Sequence, residues 1–271
     1  MTQKCPKPTI IRLVNHVIQV DAFTDCEFKG NPAAVCLLEE EREDEWLQSV
    51  AAEFNFSETC YLKPIPVLDS PHPRFHLRWF APTTEVEICG HATLAAAHFC
   101  FTSGLVKANT VEFTTLSVLL TAQKVSEMNG SVSYESENSE KNQVSLIELN
   151  FPASATSDCT IEEITLLSKV FIHETVIDMK KTDINYLFIV LPSSKAVIDA
   201  CLDFKEIKKC LGTGLIISAA APFGSGFDIV SRFFAPEVDV NEDPVCGSAH
   251  CALAVYWSTT TTNTTALSHL I

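Results

Sequence analysis

The chain has 271 residues, of which 46% are hydrophobic, enough to form the core of one large domain or of two lobes. Its 19 lysines and arginines are outnumbered by 34 aspartates and glutamates, which gives a net charge of −15. No basic cluster stands out along the chain, so we expect no binding to nucleic acid or to membranes.

Targeting signals and cysteine usage point to one compartment. The sequence shows no apolar leader, and no run approaches the roughly 20 apolar residues of a transmembrane helix. Its 11 cysteines lack the spacing of a disulfide framework or a zinc site. We therefore expect a cytoplasmic protein with reduced thiols.

The first part of the chain alternates strands with one amphipathic helix. Residues 16–24 are rich in β-branched and aromatic residues, and strand character resumes after a Gly30-Asn31-Pro32 turn. The apolar residues of 39–54 fall on one helical face. A further strand is predicted from Thr59, with residues 57–58 in the connection before it.

Hydrophobic patterns also predict the helices and strands of the rest of the chain. Strand 75–80 leads to an alanine-rich buried helix that starts at Cys89-Gly90 and stops at Gly104. The polar segment 121–145 is predicted to be a hairpin tip or loop. Beyond it, the patterns predict helices near 161–170 and 195–210 and strands at 186–191 and 214–220.

Two segments repeat one pattern. Arg78-Trp79-Phe80-Ala81-Pro82 precedes Cys89-Gly90-His91 and an alanine-rich helix, and Arg232-Phe233-Phe234-Ala235-Pro236 precedes Cys246-Gly247-Ser248 and another. Duplication of a whole lobe explains this pattern. Each helix start offers free N–H groups and the positive end of a helix dipole, which suit a carboxylate or an enolate. A glycine there lets a ligand approach the backbone. We expect the two starts to face each other across one active site.

The segments GNPAAVCLL, NFSETCYL, RWFAPTTEVEICGHATLAAAH and EDPVCGSAHCALAVYW resemble the phenazine-biosynthesis-like (PhzF-type) isomerase family, over about residues 17–257. The resemblance implies an α+β fold of the diaminopimelate epimerase type, with two pseudo-symmetric lobes, each a curved, mostly antiparallel sheet rolled around a central helix. It implies a small organic-acid substrate and neither metal nor organic cofactor. Oligomeric state stays open, with a homodimer as one option.

The predicted lobes comprise residues 12–148 and 149–257, followed by a low-complexity tail at 258–271. Members of the resembling family continue through further strands after the second helix. We therefore expect the second lobe to be incomplete.

The resemblance also assigns roles to particular residues. Glu58 corresponds to the family's proton shuttle, with Ser57 beside it in the substrate site. Catalytic roles fall on His91 and Asp243, and substrate binding falls on Gly90, Gly247 and Ser248.

The residue types alone also allow non-catalytic roles for these side chains. An apolar setting would raise the pKa of Glu58, but an exposed loop carboxylate fits the sequence too. His91 at a helix start is expected to be neutral, and it could equally be a core histidine. Asp243, before Pro244, could simply form an Asx-turn.

Cys89 and Cys246 keep two other functions open. Two-cysteine racemases of the same fold carry thiols at these positions, and a thiol at a helix N-terminus is expected to have a lowered pKa. An amino-acid epimerase using both cysteines is therefore an alternative, as is a non-catalytic binding or regulatory protein. A zinc site could be imagined from Cys246 and His250 or from Cys89 and His91. Neither pair provides the four ligands that structural zinc requires, so we expect no bound metal.

Overall fold

The computed structural model describes residues 16–26, 28–66, 70–125, 146–171, 175–210 and 212–260. Its strands are β1 (His16–Ala22), β2 (Asn31–Leu37), β3 (Glu58–Ile65), β4 (Arg74–Phe80), β5 (Glu85–Val86), β6 (Thr110–Thr114), β7 (Leu119–Val125), β8 (Leu146–Asn150), β9 (Thr156–Asp158), β10 (Asp178–Thr182), β11 (Tyr186–Val190), β12 (Gly214–Ala220), β13 (Ile229–Ala235) and β14 (Val240–Asp243). Its helices are α1 (Asp44–Phe54), α2 (Gly90–Thr102), α3 (Ile161–Val170), α4 (Ser194–Asp199), α5 (Phe204–Ile207) and α6 (His250–Thr260). The fold is α+β, as predicted.

The first sheet curls around α2. Its strand order is β1-β2-β3-β4-β6-β7-β8, with β5 also paired to β4, and only the β2–β3 and β4–β6 pairs are parallel among those described. Helix α2 packs against strands from both ends of this order. The fully buried Ala92, Ala95 and Ala96 explain this close approach, because a small side chain lets strands lie near the helix axis.

The second sheet has the order β14-β13-β12-β11-β10-β9 and packs its inner face on α6. Strands β10 to β14 follow the path of β1 to β5: an antiparallel pair, a parallel neighbour, an antiparallel strand and a short returning strand. Helices α4 and α5 occupy the crossover that α1 occupies in the first sheet. Among the described residues, this sheet has six strands and the first has eight.

The two sheets also share the side-chain contacts of one arginine, which lies on β4 in the first sheet and on β13 in the second. Arg78 of β4 binds both carboxylate oxygens of Glu85 and lies 5.0 Å above the ring of Phe80. Arg232 of β13 does the same with Glu242 and with the ring of Phe234, also at 5.0 Å. Two matching arginine forks of this kind support the duplication that the sequence predicts.

Several predicted boundaries need correction. Glu58 is the first residue of β3 and not part of a connection, and Asn31 opens β2 and is not a turn residue. Residues 39–43 precede α1. The single helix expected at 195–210 is two short helices, because the Asp203 side chain caps a new helix by accepting from the Lys205 N–H.

The boundaries of the lobes stay predictions. Position 148/149 lies inside β8, which pairs with β7 of the first sheet. Residues 121–125 belong to β7, and the rest of the predicted polar loop, 126–145, lies outside the described residues. Helix α6 continues to Thr260, so the predicted tail begins as helix, and 261–271 lie outside the described part. No helix within the described ranges has both the length and the apolar character needed to cross a membrane.

Candidate active site

The start of α2 and the turn before α6, which begins at His250 and not at the predicted Cys246-Gly247-Ser248, meet through Gly90 and Gly247. A Cβ atom placed on Gly90 would lie 2.5 Å from the Cα of Gly247, and one placed on Gly247 would lie 2.7 Å from the Cα of Gly90. Carbon atoms in contact prefer about 3.5–4.0 Å, so neither position has room for a side chain. The glycines therefore allow the two helix starts to touch, a role different from the close ligand approach that the sequence suggests.

Asn31 links the two sheets at this junction. Its side chain is fully buried, and its amide nitrogen donates to Asp243 Oδ1 and, at 3.0 Å, to the carbonyl of Val245. Its amide oxygen accepts from Ser57 Oγ at 3.2 Å. Asn31 thus fixes Asp243 of β14 relative to Ser57 beside β3.

His91, the second residue of α2, lies between a thiol and a carboxyl group. Its Nδ1 is 3.6 Å from Cys89 Sγ, and its Nε2 is 3.3 Å from Ser57 Oγ and 3.4 Å from Glu58 Oε2. Burial lowers the pKa of His91 to about 3, so the ring is neutral, as predicted. Because the hydroxyl of Ser57 donates to Asn31, we assign the ring proton to Nε2, where it faces Ser57 and Glu58.

Glu58 and Asp243 are coupled carboxyl groups. Burial raises the pKa of Glu58, and the negative charge of Asp243 raises it further, while the neighbouring polar side chain of Ser57 opposes the shift. Burial likewise raises the pKa of Asp243, against hydrogen bonds from Asn31, Cys246 and the Val245 N–H. The Oε2 atom of Glu58 is buried without a hydrogen-bond partner among the described residues. The predicted direction for Glu58 is confirmed.

The pKa predicted for the two thiols has the wrong sign. Burial raises the pKa of Cys89 and of Cys246 well above the ordinary value, and the charges of Glu58 and Asp243 add to the effect. The N–H groups of Ala92 and Ala249 oppose the shift without overcoming it. Desolvation outweighs the helix dipole here, so both thiols are protonated at neutral pH.

The second helix start has its own polar pair. Ser248 Oγ lies 3.1 Å from the hydroxyl of Tyr186 and 3.3 Å from Cys246 Sγ. Tyr186 begins β11 and packs edge-on against the ring of Phe233, with ring centroids 4.9 Å apart. Sequence patterns assign no role to Tyr186 or to Asn31; the signal that could suggest one is their position at the start of a strand near a site segment.

The strand register shows why Glu58 has no counterpart in the second sheet. Thr59 pairs with Phe80, and Leu215 pairs with Phe234, the residue equivalent to Phe80. The position equivalent to Glu58 is therefore Gly214. A Cβ atom at Gly214 would lie 2.4 Å from the ring of Phe233, so a side chain at this position would have to displace that buried ring. The repeated frame therefore carries this buried carboxyl group on one side only.

Three groups offer ligand atoms for a metal ion: Glu58, Cys89 and His91 lie within 4.8 Å of one another. The imidazole faces the thiol with Nδ1 and the carboxyl with Nε2, so an ion on either ring nitrogen would be turned away from one of the two partners. This arrangement suits an ordered hydrogen-bond chain better than a metal centre.

The predicted site residues gather at one junction. Hydrogen bonds or close contacts join Ser57, Glu58, His91 and Asp243 through Asn31, and Gly90 touches Gly247. Ser248 belongs to the neighbouring cluster with Tyr186. Their roles in catalysis and binding stay predictions.

Comparison with known proteins gives a consistent family. The model of the phenazine biosynthesis-like protein family matches residues 20–270. An uncharacterized isomerase of Halalkalibacterium halodurans is 37% identical over 88% of this chain and 80% of its own length. The human phenazine biosynthesis-like domain-containing protein is 34% identical over 88% of this chain and 81% of its own length.

A solved structure agrees with both relatives. The crystal structure of a PhzF-family phenazine biosynthesis protein from Enterococcus faecalis has a TM-score of 0.67 and 33% identity, covering 90% of this chain and 82% of that protein. The chain therefore belongs to the phenazine biosynthesis-like family of PhzF-type isomerases.

Proposed function

We propose that this isomerase moves a proton within a small carboxylate-bearing molecule, with Glu58 as the acid and base and without metal or organic cofactor. The observation that supports this most directly is the state of Glu58. Its side chain is 14% exposed, its Oε2 atom has no hydrogen-bond partner among the described residues, and its pKa is raised. A buried carboxyl group with an unused oxygen is poised to exchange a proton with a ligand.

The raised pKa makes the ionised form of Glu58 a stronger base than an ordinary carboxylate. In the proposed reaction, Glu58 takes a proton from a carbon of the substrate. The electron pair of that C–H bond moves into the conjugated carboxyl system. The protonated Glu58 then returns the proton to a second carbon, and the double bond shifts as the new C–H bond forms.

Neighbouring groups hold this carboxyl and its substrate. His91 is neutral, so although its Nε2 lies 3.4 Å from Glu58 Oε2, it brings no positive charge that would weaken Glu58 as a base. Asn31 fixes Asp243, whose negative charge keeps the pKa of Glu58 high. In this proposal, the N–H groups at the starts of α2 and α6 bind the substrate's carboxylate and stabilise the charge that develops in the transition state.

The rival two-thiol epimerase would need a thiolate at Cys89 or Cys246. Burial keeps both thiols protonated, so the structure favours Glu58 as the base. As part of the same proposal we place the protein in the cytoplasm, since the ten cysteines of the described residues are free thiols. A homodimer stays a prediction.

The proposal is tested by proton exchange in D2O, followed by NMR with a panel of β,γ-unsaturated acids and 2-amino acids. We expect the wild-type protein to exchange a C–H proton in at least one of these compounds. Glu58→Gln should abolish exchange and retain binding, because the amide cannot accept a proton. Glu53→Gln, which changes an exposed carboxyl group of α1, should behave as wild type. Full exchange by Glu58→Gln would disprove the role of Glu58.

A further inference from the structure

The parallel strand pairs of the two sheets each carry one large polar side chain, but on different strands. In the first sheet, Glu58 of β3 pairs with Ala33 of β2. At the equivalent place in the second sheet, Gly214 of β12 pairs with Tyr186 of β11. Residues in register on neighbouring strands have their side chains on the same face of the sheet. The second lobe therefore places the side chain of Tyr186 next to the position that Glu58 occupies in the first.

The ring of Tyr186 fills the space beside Gly214. A Cβ atom on Gly214 would lie 3.1 Å from Cδ1 of this ring. The ring is held there by its edge-on packing against Phe233. Its hydroxyl group thus replaces the missing carboxyl group of the second lobe as a polar group at this point.

Each of the two side chains also contacts the residue that follows the touching glycine of its own lobe. Glu58 Oε2 lies 3.4 Å from Nε2 of His91. The hydroxyl oxygen of Tyr186 lies 3.1 Å from Oγ of Ser248. Because His91 and Ser248 hold matching positions in the repeat, the two contacts are equivalent and lie on opposite sides of the junction.

Tyr186 is suited to donate a hydrogen bond at this junction. Burial raises the pKa of Tyr186 well above its ordinary value, and the negative charge of Glu58 adds to the effect across the junction. The phenol therefore keeps its proton at neutral pH and is a neutral donor. Neither side chain is sealed from solvent, since Tyr186 is partly exposed and the side chain of Glu58 is 14% exposed.

We propose that Tyr186 is a further catalytic residue, whose hydroxyl group donates a hydrogen bond to the substrate oxygen that gains negative charge when Glu58 removes the proton. This inference rests on the proposed function. As the electron pair of the C–H bond moves into the conjugated carboxyl system, one oxygen of that system becomes more negative. Tyr186 keeps its own proton throughout, and the charge disperses when Glu58 returns its proton to carbon. A fixed donor aimed at such developing charge lowers the barrier.

The test measures proton exchange in D2O by wild type and by Tyr186→Phe, which loses the hydroxyl group and keeps the ring against Phe233. The probe is the compound that wild type exchanges fastest among the β,γ-unsaturated acids and 2-amino acids. We expect kcat to fall about 100-fold and KM to change by less than about threefold, because the donor acts on charge that develops only in the transition state. The loss is at the lower end for one donor, since the hydroxyl group of Ser248 remains.

Tyr61→Phe is the matched control. The hydroxyl group of Tyr61 is also buried, and it donates to the carbonyl of Leu47 at 2.6 Å, on the side of the first sheet that packs on α1. This variant should lose stability in a urea titration and keep the wild-type exchange rate. Ser248→Ala leaves the phenol in place, so it should slow exchange less than Tyr186→Phe does.

The outcomes separate this inference from the proposed function. If wild type exchanges a proton and Tyr186→Phe does so with the same kcat, Tyr186 is not catalytic and the proposed function stands. A loss confined to KM, or an equal loss of kcat in Tyr61→Phe, would overturn the inference in the same way. Absence of exchange by wild type with every compound would overturn the proposed function and this inference together.

Discussion

Substituting one of the two touching glycines tests how the lobes are held together. In Gly90→Ala the new Cβ would lie 2.5 Å from the Cα and 2.8 Å from the carbonyl carbon of Gly247. Both neighbours are backbone atoms, so no rotamer change relieves the contact. The helix starts must separate by about 1 Å to reach a normal carbon–carbon distance of roughly 3.5–4.0 Å.

Because no rotamer change relieves it, this overpacking should cost about 3 kcal/mol or more, the upper end of the usual range, whereas alanine in an unobstructed helix would stabilise by about 1 kcal/mol relative to glycine. We therefore expect Gly90→Ala to lose at least about 2 kcal/mol of unfolding free energy in a urea titration. A displacement of 1 Å should also lower the exchange rate about 100-fold. Gly104→Ala is the control: its φ is +80° and its Cβ would meet nothing within 4 Å, so only about 1 kcal/mol of backbone strain is expected. A Gly90→Ala protein as stable as wild type would refute the contact.

Three further predictions concern the carboxyl pair and its clamp. Asp243→Asn removes the like charge, so a ¹³C NMR titration should show a lower pKa for Glu58; an unchanged pKa would mean that burial alone sets it. Because the pKa of Glu58 is higher in the folded than in the unfolded chain, the folded chain binds more protons and stability should fall as pH rises toward about 8. Glu58→Gln should show a smaller loss of melting temperature between pH 6 and pH 9, and parallel curves would contradict the shift. Asn31→Ala leaves Asp243 and Ser57 without their shared partner, and it should cost about 1–3 kcal/mol in chemical denaturation; a cost below about 0.5 kcal/mol would argue against the clamp.

The sequence predicts the repeated frame well, because the repeat is local. The arginine, the aromatic residues and the turn lie within a few positions of one another, both from Arg78 to Pro82 and in the counterpart that begins at Arg232. The repeat can therefore be recognised from the sequence alone. The buried, alanine-rich helices follow from composition in the same way. The sequence predicts a substrate-binding role for their glycines, and the structure gives them a packing role that only the contact with the second helix start reveals.

Contacts between distant segments were beyond the reach of sequence patterns. Asn31 and Asp243 meet across more than two hundred positions, and nothing near Asn31 in the sequence marks it as a partner of a carboxylate. The thiol pKa was predicted with the wrong sign because the helix dipole is visible in the sequence but the extent of burial is not. The strand register, which sequence patterns do not reveal, places Gly214 at the position equivalent to Glu58 and so explains why Glu58 has no counterpart in the second sheet.

The central claim, that Glu58 carries the proton, is tested most directly by solvent-deuterium exchange into a small acid with wild-type and Glu58→Gln proteins at equal ligand occupancy. The account predicts C–H exchange with the wild type and at least a 100-fold slower rate with the variant, because the amide offers no base. Binding should stay within a few-fold, since the ligand's carboxylate is held by the N–H groups of the helix starts and not by Glu58. Exchange at the wild-type rate with Glu58→Gln bound to the same ligand would contradict the account.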